Sequence, residues 1–104
     1  MKRRKVVTQA AARADLHAAW SLVAANDGSQ RANGLRNRIE AFLRSLQHFA
    51  SIGTPHDDIR PGLRSTGVPG LRKTTILFLV TPTHVFILRI GYLGHDVWTD
   101  LLTH

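Results

Sequence analysis

The 104-residue sequence has no cysteine. That excludes disulfides and Cys-ligated zinc or iron–sulfur centres, and it agrees with a reducing cytoplasm. Long hydrophobic runs are missing too. The longest stretch of large apolar side chains is "ILFLV" at 76–80, whereas a helix that spans a bilayer needs about 20 apolar residues. The opening "MKRRK" looks like the charged start of a secretory signal, but the following "VVTQAAARADL" is interrupted by Gln9 and Arg13. A protein neither secreted nor membrane-spanning is expected. No phosphate-loop glycine motif, serine-nucleophile elbow or paired-histidine zinc motif is present. Nor is there an internal repeat or low-complexity segment, so residues 1–104 read as one domain.

Acidic residues are scarce. Seven Asp and Glu stand against fourteen Lys and Arg, for a formal net charge of +7. On so short a chain this implies attraction to a polyanion, whether nucleic acid, a ribonucleoprotein or an acidic protein. Charge alone does not choose among them. Hydrophobic residues make up 43% of the chain, enough for one modest core.

The segment "KRRKVVT" at 2–8 is basic and β-branched, fit for a strand at a sheet edge where cations discourage stray pairing. Thr8 can cap the helix that follows. From Gln9 to about Ala25, Ala12, Leu16, Trp20 and Val23 recur at helical spacing, while Arg13, Asp15, His17 and Ser21 fall elsewhere. "NDGSQ" breaks this helix. A second is expected from about Ser29 to Ser51, with the stripe Leu35, Ile39, Phe42, Leu43, Leu46 and Phe49; Gly53 would stand just past its end and Pro55 would stop it. Gly34 costs it roughly 1 kcal/mol relative to alanine. A short linker between two amphipathic helices predicts an antiparallel hairpin. "GLRS" at 62–65, "KTTILFLV" and "VFILRI" read as strands, the last two joined by "TPTH". "HDVWTDLLTH" can add a helical turn capped by Asp96. The sum is an α+β chain of order β-α-α-β-β-β, with a small antiparallel sheet packed on an antiparallel helical hairpin.

"HDDIRPGLRS" at 56–65 holds a histidine and two carboxylates. Adjacent residues rarely point at one ion and no second ligand cluster stands out, so neither a metal site nor another cofactor is expected. A shaping loop explains more: Asp57 and Asp58 cap a turn, Pro61 and Gly62 aim the chain into a strand, and Arg60 and Arg64 pair with the carboxylates. Strict alternation in "VFILRI" puts Arg89 on the face of Val85 and Ile87, opposite Phe86, Leu88 and Ile90. A charge there needs a carboxylate, from Asp57, Asp58 or Asp96, or an outside ligand. Tyr92, His95 and Asp96 in "GYLGHD" can do acid/base work or form a capping network. His17, His48, His84 and His104 read as surface residues.

Three motifs in order now stand out: "ADLHAAW" on the first helix, the segment from Gly53 through "HDDIRPGLRS", and "ILRIGYLGHD" with its late leucines. In that order and spacing the sequence resembles the RelE/ParE superfamily of bacterial type II toxin–antitoxin systems, the ParE branch in particular. Ala14, Asp15, Leu16 and Trp20 match its first motif. Gly53, Asp57, Asp58 and Pro61 through Ser65 match the second, and Ile87, Leu88, Arg89, Tyr92, Gly94, Asp96 and Leu102 the third.

The resemblance implies a βααβββ toxin that binds and inhibits DNA gyrase without catalysis of its own. It also implies a hetero-oligomer with a cognate ParD-like antitoxin, whose tail the charge predicts to be acidic. Target contacts are then expected from Arg64, Arg72, Lys73, Arg89, Tyr92, His95, Asp96 and Trp98. Antitoxin contacts are expected from Leu16, Trp20, Ile39, Phe42, Phe78 and Phe86. The RelE branch instead cleaves mRNA on the ribosome, which would assign catalysis here to Arg64, Lys73, Arg89, Tyr92 and His95. The chain departs from the family pattern in two places: the central strand carries Lys73, Thr74, Ile76 and Phe78 where relatives often have two tyrosines, and His95 stands where they often have arginine. Against the nuclease, its central-strand arginine corresponds to Thr74 or Thr75 here. The terminal aromatic is Trp98, whose indole cannot exchange a proton usefully near neutral pH. A third alternative is an inactive member kept for antitoxin binding and autoregulation.

Overall fold

The computed structural model describes residues 3–92. The elements run β1 (Lys5–Thr8), α1 (Ala10–Asp27), α2 (Ser29–Ser45), β2 (Thr54–Pro55), β3 (Leu63–Val68), β4 (Leu71–Val80) and β5 (His84–Gly91). The α+β frame and the helical hairpin are those expected from the sequence. A two-residue strand, β2, is added at the sheet edge, and the sheet order is β1-β5-β4-β3-β2. β2 through β5 pair antiparallel, whereas β1 joins β5 in parallel, from Lys5↔His84 to Thr8↔Ile87. The whole α1–α2 hairpin lies between β1 and the rest of the sheet in sequence, which makes this crossover long enough for parallel pairing.

Several boundaries differ for identifiable reasons. Thr8 completes β1 instead of capping α1; the cap position is Gln9, in extended geometry and without a side-chain bond. α2 ends at Ser45 and not at Ser51. Ser45 Oγ donates back to the Phe42 carbonyl at 2.6 Å, and the Leu46 and Gln47 amides close tighter turns on Leu43 and Arg44 at 3.1 and 3.2 Å, ending the regular helix. The Gln47 carbonyl then accepts from the Arg4 amide at 3.0 Å, tying the chain to the start of β1. Beyond this end Phe49 leaves the apolar stripe and is 60% exposed. Gly53 is consequently no helix terminus. Its φ of +78° serves the entry into β2, where a Cβ would stand 2.1 Å from the Ser65 carbonyl oxygen. The expected terminal helical turn with its Asp96 cap, like His95, Trp98 and His104, lies outside the described residues.

The core is formed by Ile39, Leu43 and Leu46 of the α2 side against Ile76, Phe78, Val85, Ile87 and Ile90 of the sheet. α1 approaches through small residues: Ala12 and Ala19 are fully buried, as is Ala32 of α2, so the backbones come close without large side chains between them. β4 is buried on both faces, Ile76, Leu77 and Phe78 all reaching 0% exposure. This agrees with its unbroken apolar sequence.

Two irregularities matter for function. In β5 the pairing with β4 shifts between Leu77↔Arg89 and Phe78↔Ile87. Leu88 is the extra residue of this bulge, and its insertion brings Ile87 and Ile90, three apart, to the same core face. Arg89 is thereby turned off the Val85/Ile87 face that strict alternation assigned to it. In β4 the pairing jumps from Gly67↔Thr75 to Val68↔Leu71, so that Arg72 and Lys73 are exposed at a bulge and Lys73 adopts φ 58°.

Gly53→Ala is expected to destabilise the fold by more than about 2 kcal/mol, because the substitution combines a left-handed backbone with a collision against backbone. Gly34→Ala, in open space on a regular helix, should stabilise it by about 0.5–1 kcal/mol. Urea unfolding of both variants checks the contrast.

Candidate functional site

A polar centre of Asp15, Arg89 and the Ile90 amide joins α1 to β5. β1 covers the β5 edge only from His84 to Ile87. Past Ile87 that edge is met by Asp15, 8% exposed on the inward face of α1 between Ala12 and Ala19. Its Oδ2 accepts from the Ile90 amide at 2.8 Å and from Arg89 Nε at 2.8 Å, while Oδ1 accepts from Arg89 Nη2 at 3.0 Å. The carboxylate therefore meets a bidentate guanidinium and a backbone donor together. Arg89 does need an acid, as expected, and among the described residues that acid is Asp15, not Asp57 or Asp58; Asp96 lies outside the described residues. The signal was present in the sequence: Asp15 follows Ala12 by three residues and precedes Ala19 by four, on the small-residue face of α1. A search for large apolar side chains passes over that face.

"HDDIRPGLRS" is a shaping loop. Asp57 Oδ1 accepts from the Gly62 amide at 2.9 Å, the Ile59 and Arg60 amides turn back to the His56 carbonyl, and His56 Nε2 meets Ser65 Oγ at 2.8 Å. Arg64 does not pair with these carboxylates. It donates Nε to the Ile52 carbonyl at 2.8 Å and Nη2 to the Ser51 and Gly53 carbonyls at 3.0 and 3.4 Å. These carbonyls lie where helix geometry has ended, and the guanidinium fastens the segment that follows α2. Among the described residues no three metal-ligating side chains come together.

Among the described residues, those expected to touch the target are thus dispersed. Arg64 sits at the β2 side of the sheet, Arg89 and half-buried Tyr92 at the end of β5, and Arg72 and Lys73 at the bulge by the β3–β4 turn. Of the residues expected to touch an antitoxin, Ile39 and Phe78 are fully buried in the core. They can offer no contact surface, and their assignment is corrected: the apolar periodicity that singled them out marks the inward face. Leu16, Trp20, Phe42 and Phe86 remain half-buried, and Phe86 stacks on His84 at 5.4 Å between ring centres.

Leu16 and Trp20 belong to a groove that runs along one flank of the hairpin to the open edge of β1. Near Trp20 it is lined by Arg13, His17, Arg36 and Glu40. It passes Val6, Thr8, Leu43 and Arg44 and opens into a hollow of about 500 Å³ among Arg3, Arg4, Lys5, Arg44 and Gln47. Trp20 is held in place, its Nε1 donating to Asn33 Oδ1 at 2.8 Å, with the His17 ring parallel to it at 6.3 Å. Along the β1 edge, alternate residues point their backbone groups away from β5. Arg4 N is taken by Gln47, and the Thr8 carbonyl by the Arg13 guanidinium. Apolar anchors flanked by six cations and one carboxylate suit an extended acidic polypeptide, not a small substrate.

Such a molecule belongs, by its frame, to the small α+β proteins in which a helical hairpin packs on one sheet. The same fold occurs in a chain of the chromosomal ParDE TA system from P. aeruginosa, with a TM-score of 0.74 and 23% identity over 88% of this chain and 98% of that one. Toxin ParE3 of Caulobacter vibrioides is 34% identical over 76 residues, covering 73% of each chain. No protein-family model matches. On this identity and coverage the chain belongs to the ParE-type toxins of the RelE/ParE superfamily.

Asp15→Ala would remove the acceptor of the Ile90 amide and the carboxylate that meets Arg89, 20% exposed. A loss of about 3 kcal/mol of unfolding free energy is expected, the lower end for a broken buried pair. Asp15→Asn, which can still accept from the amide, should lose less. Chemical denaturation of the two variants measures both.

Proposed function

We propose that this protein is the toxin of a type II toxin–antitoxin pair, that it inhibits DNA gyrase by binding, and that an acidic ParD-like antitoxin neutralises it. Both partners would place it in the cytoplasm. The observation that carries the binding reading is the state of the strand arginines. Arg64 is committed to three backbone carbonyls and Arg89 to Asp15. A phosphate-cleaving centre needs cations aimed at the developing charge, and these two are turned to holding the fold. Lys73, the remaining strand cation of the nuclease alternative, projects from the bulge near the β3–β4 turn. Family membership supports the rest, since the ParE branch is the gyrase-directed one that the motifs resemble.

The antitoxin tail is assigned to the groove along α1, α2 and β1. Trp20, fixed by Asn33, and Leu16 provide apolar anchors, and the surrounding arginines attract an acidic chain from a distance.

Purified protein is expected to inhibit gyrase supercoiling while leaving a purified ribosome-dependent translation reaction intact. Blocked translation with untouched supercoiling would sink this reading and favour the endoribonuclease. Association with the antitoxin should slow as salt rises, whereas Trp20→Ala should raise the dissociation rate by about tenfold or more. Stopped-flow and surface-binding kinetics separate these two effects.

A further inference from the structure

The opposite flank of α2 carries a second cleft that the antitoxin assignment leaves unused. It has a volume of about 590 Å³ and lies between the end of α1, the first turns of α2 and the β3–β4 turn. Arg31 and Arg38 stand on its rim two helical turns apart, facing Arg72 from β4. None of these three guanidiniums makes a hydrogen bond or ion pair among the described residues. Asp27 is the acidic residue at the mouth.

The cations are gathered by the backbone. Arg38 reaches across to the β3–β4 turn because residue 70 is glycine; a Cβ there would stand 2.5 Å from its Nη1. The bulge that puts Lys73 at φ 58° leaves both Arg72 and Lys73 exposed beside it. On the helix side, Gly34 lines the cleft and has open space where a Cβ would be, so a ligand can approach the α2 backbone.

We infer that this cleft binds the phosphodiester backbone of duplex DNA. Three arginines against the single carboxylate of Asp27 leave an excess of like charge, and a polyanion relieves that repulsion. Guanidiniums in particular match phosphate oxygens with forked donors. Among the described residues no aromatic ring lines the cleft, and these residues supply no stacking platform of the kind unpaired bases use. Its floor of Val23, Leu35 and Leu71 is half-buried and offers no aromatic anchor for a peptide. The contact is sequence-independent and does not require the gyrase reading to hold.

Fluorescence anisotropy of a short labelled duplex, titrated with the full chain at several salt concentrations, tests it directly. The double variant R38A/R72A should weaken binding about tenfold or more at low salt and reduce the slope of log Kd against log salt by about 2. The charge-matched control R60E, on the exposed loop, should change affinity by less than about threefold. R31A should weaken binding in the same direction as the double variant, and circular dichroism confirms that each variant is folded. Equal losses in R38A/R72A and R60E would reduce the effect to net charge and overturn the inference. So would tighter binding of a single strand of equal length, or displacement of the duplex by a poly-glutamate peptide at lower concentration than by unlabelled duplex. Because no gyrase is present, the result stands apart from the supercoiling assay.

Discussion

The carboxylate of Asp15 is the contact on which the arrangement of the two layers depends. Parallel pairing with β1 ends at Ile87, and the bulge at Leu88 turns the next residues. Without a partner the Ile90 amide would be a buried donor left unmade, at a cost of about 1–3 kcal/mol. Asp15 supplies the acceptor and Arg89 neutralises the carboxylate. Burying an acid is tolerable only because both needs are met in one place. The same contact sets α1 against β5, with Ala12 and Ala19 on either side of the acid. Leu16 and Trp20 are carried to the rim of the hairpin as a consequence, where they border the groove along β1.

A second theme is the sorting of arginine by role. Arg4, Arg64 and Arg89 fasten backbone or acid within the fold: Arg4 Nε reaches the Thr81 carbonyl, Arg64 the carbonyls after α2, and Arg89 the Asp15 carboxylate. Arg31, Arg38, Arg44 and Arg72 are exposed. α2 separates the exposed cations into two flanks, because residues 33, 36 and 40 and residues 31, 35 and 38 lie on opposite sides of a helix with 3.6 residues per turn. One flank is furnished with Trp20 and Leu16 and suits a polypeptide. The other has glycines at positions 34 and 70 with arginines around them and suits a phosphate backbone. A net charge of +7 therefore describes two surfaces of different chemistry.

The middle motif shows how a string of reactive residue types can have a structural purpose. In "HDDIRPGLRS", His56 meets Ser65, Asp57 accepts from the Gly62 amide and Arg64 holds the Ser51, Ile52 and Gly53 carbonyls. These bonds turn the chain from α2 into β3 and hold the two-residue β2 beside Ser65 and Arg64. Gly53, whose Cβ position is occupied by backbone of β3, belongs to the same construction.

The α+β frame, the helical hairpin, the buried central strand and the family motifs were legible in the sequence because each rests on local information: 3.6-residue or two-residue spacing, an apolar run, a glycine between helices. The excess of exposed cations was legible from composition. What the sequence left open depended on residues far apart in the chain. Asp15 and Arg89 are 74 positions apart, and no local pattern selects one acid among several as the partner. The Leu88 bulge breaks the alternation from which the side of Arg89 was read. Periodicity marked Ile39 and Phe78 as apolar positions, yet whether an apolar side chain faces the core or a partner depends on what packs against it. Burial, ion pairing and the distribution of arginine between two flanks of one helix are properties of packed surfaces, and packing alone decided them.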